Sequence, residues 1–256
     1  LSTGPLSFTL QSSNSLTGNR TFGYHGFKMG ARKEYYESYI EFHDNTNNFY
    51  YDFPQKKRPF PVPDPMLPCR RGHKHFDVIL VSDFRLGEIN DFSNTDVISK
   101  LQNTDLKCGL VQMSLYEVSP KLKLNYKVRN EVDGEKVQLL VFGESVSCDF
   151  LLVMDSEVLR DWQQFIPKVH AENIHIVINK IHDSRKSIDR LVNLFRQYDK
   201  NLRKYFGKSG LWHPINQSVR KEVQSVVSHD PELITLSNDD WSNELVNQIL
   251  TKNSSI

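Results

Sequence analysis

The chain holds 256 residues, with 32 basic against 31 acidic side chains and 38% hydrophobic content. That length accommodates one large domain, or one ordinary domain with a smaller companion. The balanced charge excludes a chain whose main task is to coat nucleic acid or an anionic membrane, because both tasks need a strong positive field.

Residues 1–53 are aromatic and polar and carry short alternating stretches. Ser7-Phe8-Thr9-Leu10 and Tyr39-Ile40-Glu41-Phe42-His43 alternate with period two, which predicts half-buried antiparallel strands. Thr17-Gly18-Asn19 and Asp44-Asn45 read as the turns between them. The expectation is a small β-rich appendage. Its aromatic residues (Phe22, Tyr24, Phe27, Tyr35, Tyr36, Phe49, Tyr50, Tyr51) read as the packing of a β layer, ahead of a carbohydrate-stacking surface. Residues 54–70 follow as a connector. Pro54, Pro59, Pro61, Pro63, Pro65 and Pro68 continue neither a helix nor a central strand, so this segment is expected to be extended and stiff. The basic runs Lys56-Lys57-Arg58 and Arg70-Arg71 read as a solvated linker face.

From residue 71 to 256 the pattern changes. Phe76-Asp77-Val78-Ile79-Leu80-Val81 is nearly continuous and rich in branched residues, as a strand buried on both faces is. Similar runs recur at 108–113, 137–142, 150–154 and 174–178, with a weaker one at 233–236. Ser156 to Phe165 predicts a helix capped by Ser156 and stopped before Pro167. Ile188, Leu191, Val192, Leu194, Phe195, Tyr198 and Leu202 keep helical spacing up to Gly207. Asn216 caps a helix through Val227, and Asn238 another from about Asp239 to Leu250. Strands alternating with helices predict an α/β fold: a doubly wound, mostly parallel, Rossmann-like sheet.

Apolar runs of a few residues fall short of the ~20 needed to cross a bilayer, and the N-terminus reads unlike a signal peptide. Asn19-Arg20-Thr21 and Asn216-Gln217-Ser218 match the glycosylation pattern but are discounted on that ground. Cys69, Cys108 and Cys148 lack metal-ligand spacing and read as reduced, buried thiols of a cytosolic protein.

Ligands of such sheets bind beyond the carboxyl ends of the strands. The loop Ser82-Asp83-Phe84-Arg85-Leu86-Gly87-Glu88 has neither a G-x-G-x-x-G nor a P-loop pattern; Ser82, Asp83 and Arg85 suit either a hydroxylated or anionic ligand or a surface turn with a helix cap. Asn179-Lys180-Ile181-His182-Asp183 forms the loop after the fifth run. His213, in Trp212-His213-Pro214-Ile215, precedes a helix N-terminus where it could meet a phosphate, although a packed loop histidine is the more ordinary role. The stretch Ser147-Cys148-Asp149 looks nucleophilic, but it lies at the amino end of a buried strand, away from that rim, and is rejected as a site. No metal site is expected, since no His/Glu pair has zinc-site spacing.

Several phrases resemble bacterial glycosyltransferases with two Rossmann domains (GT-B type), linked to cell-surface polysaccharide or teichoic acid synthesis. They are the run from Phe76 through Leu86, Gly109-Leu110-Val111-Gln112-Met113, Asp133-Gly134-Glu135-Lys136-Val137-Gln138, Val146-Ser147-Cys148-Asp149, the stretch 205–215, and Leu236-Ser237-Asn238-Asp239-Asp240-Trp241. The resemblance implies the acceptor-side half of such an enzyme. A nucleotide sugar would be the donor, a glycan or polyol phosphate the acceptor, and a second Rossmann domain or subunit would hold most of the donor; no cofactor would be permanently bound. It also implies a cytoplasmic protein, peripheral at the inner face of the membrane, with Asp83 and Arg85 and then Asn179 and His213 as cleft residues. Such relatives carry a Gly-rich turn after the first strand, whereas Gly87-Glu88-Ile89-Asn90-Asp91 stands here. After the fourth strand they carry Arg or His followed by prolines, where this chain has Met154-Asp155-Ser156-Glu157. Two rival readings are a non-catalytic Rossmann-like binding or assembly module, and a nucleotide- or phosphate-binding regulator built on the helix near Asn216.

Overall fold

Strand β1 (Lys74–Ser82) is the centre from which the sheet is wound. Val78, Ile79, Leu80 and Val81 are each at most 1% exposed, so this strand is covered on both sides, as its composition requires. The computed structural model describes residues 30–51, 53–55, 58–67, 73–86, 94–115, 118, 122–181, 187–242, 244, 246 and 247. In chain order come α1 (Ala31–Asn45), a 3₁₀ turn (Asp64–Met66), β1, α2 (Asn94–Gln102), β2 (Cys108–Gln112), α3 (Tyr126–Glu131), β3 (Val137–Leu140) and β4 (Ser145–Val153). A second 3₁₀ turn (Ser156–Leu159), β5 (Lys168–Ile178), α4 (Ile188–Phe206), β6 (Leu211–Pro214), α5 (Gln217–Val227) and β7 (Thr235–Leu236) complete the set.

The seven strands lie in the order β3-β2-β1-β4-β5-β6-β7, and every neighbouring pair is parallel. The α/β, Rossmann-like sheet expected from the sequence is therefore present. Two apolar layers flank it. On one face Leu191, Phe195, Tyr198 and Leu202 of α4 and Val219, Val223 and Val226 of α5 meet Ile79, Leu151 and Ile176. On the other, Val97, Ile98 and Leu101 of α2, Val128 of α3, and Trp241 and Val246 cover Leu80, Leu110 and Leu152. Phe76 and Ile79 share one layer although three apart, and the amides of Asp77 and Val78 both donate to Lys107 O, so the two-residue alternation slips once at Asp77.

Helix α4 follows the sequence closely. Its buried residues recur every three or four positions, Asp189 sits in the first turn, Arg203 and Lys204 in the last, and Gly207 closes it at φ 82°. Asn216 Oδ1 accepts from Val219 N at 3.0 Å and starts α5, the cap expected there.

Four expectations change. Tyr39–His43, expected as a strand, lies within helix α1; the segment expected at Ser7–Leu10 lies outside the described residues. The alternation at Tyr39–His43 is outweighed by aromatic stacking along one helix side, where Tyr35, Tyr39 and Phe42 all pack on Phe60. Ser156–Phe165 is not an α-helix: only the 3₁₀ turn forms, and Asp155 rather than Ser156 caps it, accepting from Glu157 N at 3.0 Å. Tertiary contacts override the helical period there, because the Trp162 ring stacks on Tyr205 at 4.5 Å and Gln163 is held by Ser114 and Tyr205. The terminal helix is present at residues 244, 246 and 247, later than Asp239. Finally, Leu211–Pro214, read as a loop, pairs with β5 as strand β6.

The proline-rich segment is more than a tether. The charged pair of Asp64 and Lys74 (2.6 Å) joins it to β1, and Pro61 lies so close to Gly134 that a Cβ there would meet it at 3.3 Å. Helix α1 is clamped to α3 by the buried Arg129, which pairs with Glu34 and Glu37 and donates to Ser38. Cys108 and Cys148 are free and buried, as expected, and burial raises the Cys148 thiol to about 12; Cys69 lies outside the described residues.

Candidate functional site at the carboxyl edge

The order of the strands reverses between β1 and β4, so the connections leaving these two strands run to opposite sides and their tips stand next to each other. The β1 tip ends in Ser82 and Asp83, both fully buried. Ser82 Oγ accepts from Asn94 Nδ2 at 3.0 Å, which ties the strand to the start of α2.

Asp83 is the hub of this edge. Its Oδ1 accepts from Arg85 Nε (2.7 Å) and Gln112 Nε2 (2.8 Å), and its Oδ2 from an Arg85 terminal nitrogen (2.5 Å) and Leu115 N (2.9 Å). Gln112 in turn accepts from Phe84 N at 2.8 Å. Burial alone would raise the carboxyl pKa; the hydrogen bonds from Arg85, Leu115 and Gln112, with the guanidinium charge, hold it below the ordinary range instead. A carboxylate so filled with donors is a poor general base. It holds the turn after β1 against the loop after β2, and Arg85, 5% exposed in its side chain, completes the clamp.

The β4 tip is equally tied. Asp155 caps the 3₁₀ turn, and Glu157 accepts from Tyr198 OH at 2.5 Å. Asn201 Nδ2 donates to Leu159 O at 2.7 Å, so the turn rests on α4. Gln163 accepts from Ser114 N (2.7 Å) and donates to Ser114 O (3.1 Å), joining the loop after β4 to the loop after β2. Asn179, at the β5 tip and 6% exposed, donates to Met154 O at 2.9 Å.

Of the four expected cleft residues, Asp83 and Arg85 form one ion pair, and Asn179 joins the next strand pair. His213 sits elsewhere, inside β6, 1% exposed. Its Nε2 lies 2.9 Å from His175 Nδ1, and the Trp241 ring stands edge-on at 5.6 Å. Burial, with the neighbouring His175, pushes its pKa down to about 4, so the ring is neutral at neutral pH. His182, Asp183 and the stretch 87–91 lie outside the described residues. The sequence singled out neither Gln112 nor Gln163 nor Glu157. Each acts through a partner 28 to 49 positions away, a distance no local motif encodes.

At the opposite edge Ser147 Oγ lies 2.9 Å from His75 Nδ1, and His75 Nε2 lies 3.1 Å from Asp149 Oδ1. The order Ser–His–Asp looks nucleophilic, but Ser147 is inside β4, paired with His75 on one side and His170 on the other. Backbone amides committed to sheet pairing on both sides offer no oxyanion hole, and the sheet surface offers no strained turn to present the hydroxyl. Among the described residues no cluster of three or more His, Cys, Asp or Glu could hold a metal ion, and no helix is long and apolar enough to cross a membrane. No family model matches the chain, and neither a curated protein nor a solved structure matches it.

Proposed function

We propose that the chain is the acceptor-side half of a nucleotide-sugar-dependent glycosyltransferase of bacterial surface-glycan synthesis. One observation carries the reading: seven parallel strands whose order reverses between β1 and β4, leaving a seam at the carboxyl edge of the kind that takes nucleotides and sugars. The phrases resembling GT-B enzymes fall on this sheet, at β1, β2, β3, β4 and β6. In this reading a nucleotide sugar is the donor and a glycan or polyol phosphate the acceptor. A second Rossmann domain or subunit closes the cleft, and the protein works in the cytoplasm at the inner face of the membrane. Transfer needs a base for the acceptor hydroxyl and positive groups for the departing diphosphate. Asp83 and Arg85 serve it as positioning residues, since their charges are already spent on each other and on Gln112 and Leu115.

Titration calorimetry of the full-length protein with a panel of common nucleotide sugars tests the reading. Saturable heat with one donor is expected, and the absence of heat with all of them contradicts it. A second reading, a non-catalytic binding or assembly module, draws on the same network: Asp83 and Asn179 are buried and occupied within the chain, and His213 is buried with its Nε2 on His175. For that module the calorimeter records no heat with any donor.

A further inference from the structure

Beyond α1 the chain lays a row of rings along the helix. Phe60 lies 5.4 Å from Phe42 and 5.5 Å from Tyr35, and Phe49 and Tyr51 pack on Phe42 at 6.1 and 6.4 Å. These contacts anchor the row from beneath. Its outer side is bare: Tyr51 is 42% exposed, Phe49 50%, Tyr50 81% and Phe53 98%. A lone exposed apolar side chain is ordinary, but four aromatic rings within five positions form a patch that asks for a partner. The most exposed of them, Phe53, has no polar tip with which to bind a sugar hydroxyl.

The neighbouring charge indicates which partner. Residues 49–60 contain Lys56, Lys57 and Arg58 against the single acid Asp52, three positive less one negative, or +2 in a chain whose whole charge is +1. Arg58 is exposed. Lys56 follows Phe53 by three residues, so their Cα atoms are at most ~11 Å apart, about one Debye length at physiological salt. Aromatic rings beside cations suit a surface that is apolar below and anionic above, which is the headgroup region of a bilayer.

We propose that the row Phe49-Tyr50-Tyr51 and Phe53 docks on an anionic membrane surface, Tyr50 and Phe53 entering the headgroup boundary while the adjoining basic run meets lipid phosphates. The inference deepens the membrane-side placement proposed above, and vesicle binding answers it without any sugar transfer, so either idea can fail alone.

The test is co-sedimentation of the full-length protein with vesicles of phosphatidylcholine alone and of phosphatidylcholine mixed with phosphatidylglycerol. Binding is expected to the mixed vesicles only and to weaken as salt is raised. The double substitution Tyr50→Ser/Phe53→Ser should weaken it by about ten-fold or more. The triple substitution K56Q/K57Q/R58Q should weaken it at least as much and remove most of the salt dependence. Circular dichroism should show both variants folded, since Tyr50, Phe53 and Arg58 are exposed side chains. Failure to bind either vesicle, equal binding to both, or unchanged binding by the Tyr50/Phe53 variant would overturn the proposal. So would self-association that the same variant abolishes in the absence of vesicle binding, which would make the row a contact between copies.

Discussion

Asp83 shows how far a residue's type can mislead about its work. An acid followed two positions later by an arginine at a strand tip suggests a ligand contact, yet the lone pairs of Asp83 go to Arg85, Gln112 and Leu115. Removing it strips the buried Arg85 guanidinium of the carboxylate that pairs with it here. Asp83→Ala should therefore cost ~3–5 kcal/mol, read as a lower urea midpoint at neutral pH. Because the folded pKa is depressed, this contribution is full above the unfolded value of ~3.9 and is lost as pH falls through the folded value. His213 acts in a higher window. Its folded pKa of about 4 lies below the ordinary 6.5, so its contribution is full above 6.5 and is lost as pH falls toward 4. Glu144 opposes it: burial raises that carboxyl from 4.5 to about 7, so its contribution is full below 4.5 and is lost as pH rises through 7. The two partly cancel in the native protein. In His213→Phe that cancellation is lost, so the urea midpoint should fall as pH rises from 4.5 to 7 along the Glu144 slope; a profile unchanged from the native one would show that His213 does not titrate as its burial dictates. The sequence made Asp83 and Arg85 visible but not their occupancy, because Gln112 and Leu115 arrive from 29 and 32 positions away.

Elements were legible where one force dominated. The strands β1 and β2 and the carboxyl halves of β4 and β5 are buried on both faces, so their apolar runs announced them, and α4 combined a clean apolar stripe with charges and a glycine at the proper ends. Where forces competed, the local period lost. The 156–165 stretch has a helical stripe, but Trp162 finds Tyr205, and Gln163 finds Ser114, only if the chain stays open. Strand β6 was hidden because four residues are too few to show a period. Two glycines three positions apart separate conformational need from spatial need. Gly207 ends α4 at φ 82° with nothing within 4 Å of a built Cβ, whereas at Gly210 a Cβ would stand 2.4 Å from Ile176 Cδ1 and 2.8 Å from Ile174 O. Gly207→Ala should cost ~1 kcal/mol, for backbone strain alone. Gly210→Ala should cost more, ~1–3 kcal/mol, because a backbone oxygen cannot move aside as a side chain can. Urea denaturation of both variants checks the order; equal losses would contradict it.

At the scale of the whole molecule the alternation of buried runs with helices was enough to predict the doubly wound sheet, because parallel strands must be covered on both faces and reached by crossovers. What alternation could not reveal was economy in the connections: β3 passes to β4 through residues 141–144, and β4 to β5 through 154–167, neither with an α-helix. Nor could it reveal that α1 and the proline-rich strap are fastened to the domain by Arg129 and by the Asp64–Lys74 pair. These fastenings make helix α1 part of the same body, and the β1–β4 seam is the place that the proposed reading assigns to the ligand. Hydrogen exchange of the full-length protein, with and without a saturating nucleotide sugar, tests that claim most directly. Slowed exchange should concentrate in residues 83–86, 113–115 and 154–157, at the tips of β1, β2 and β4. Protection confined to the opposite edge, around Ser145–Ser147 and Lys168–His170, or no protection with any donor, would contradict it.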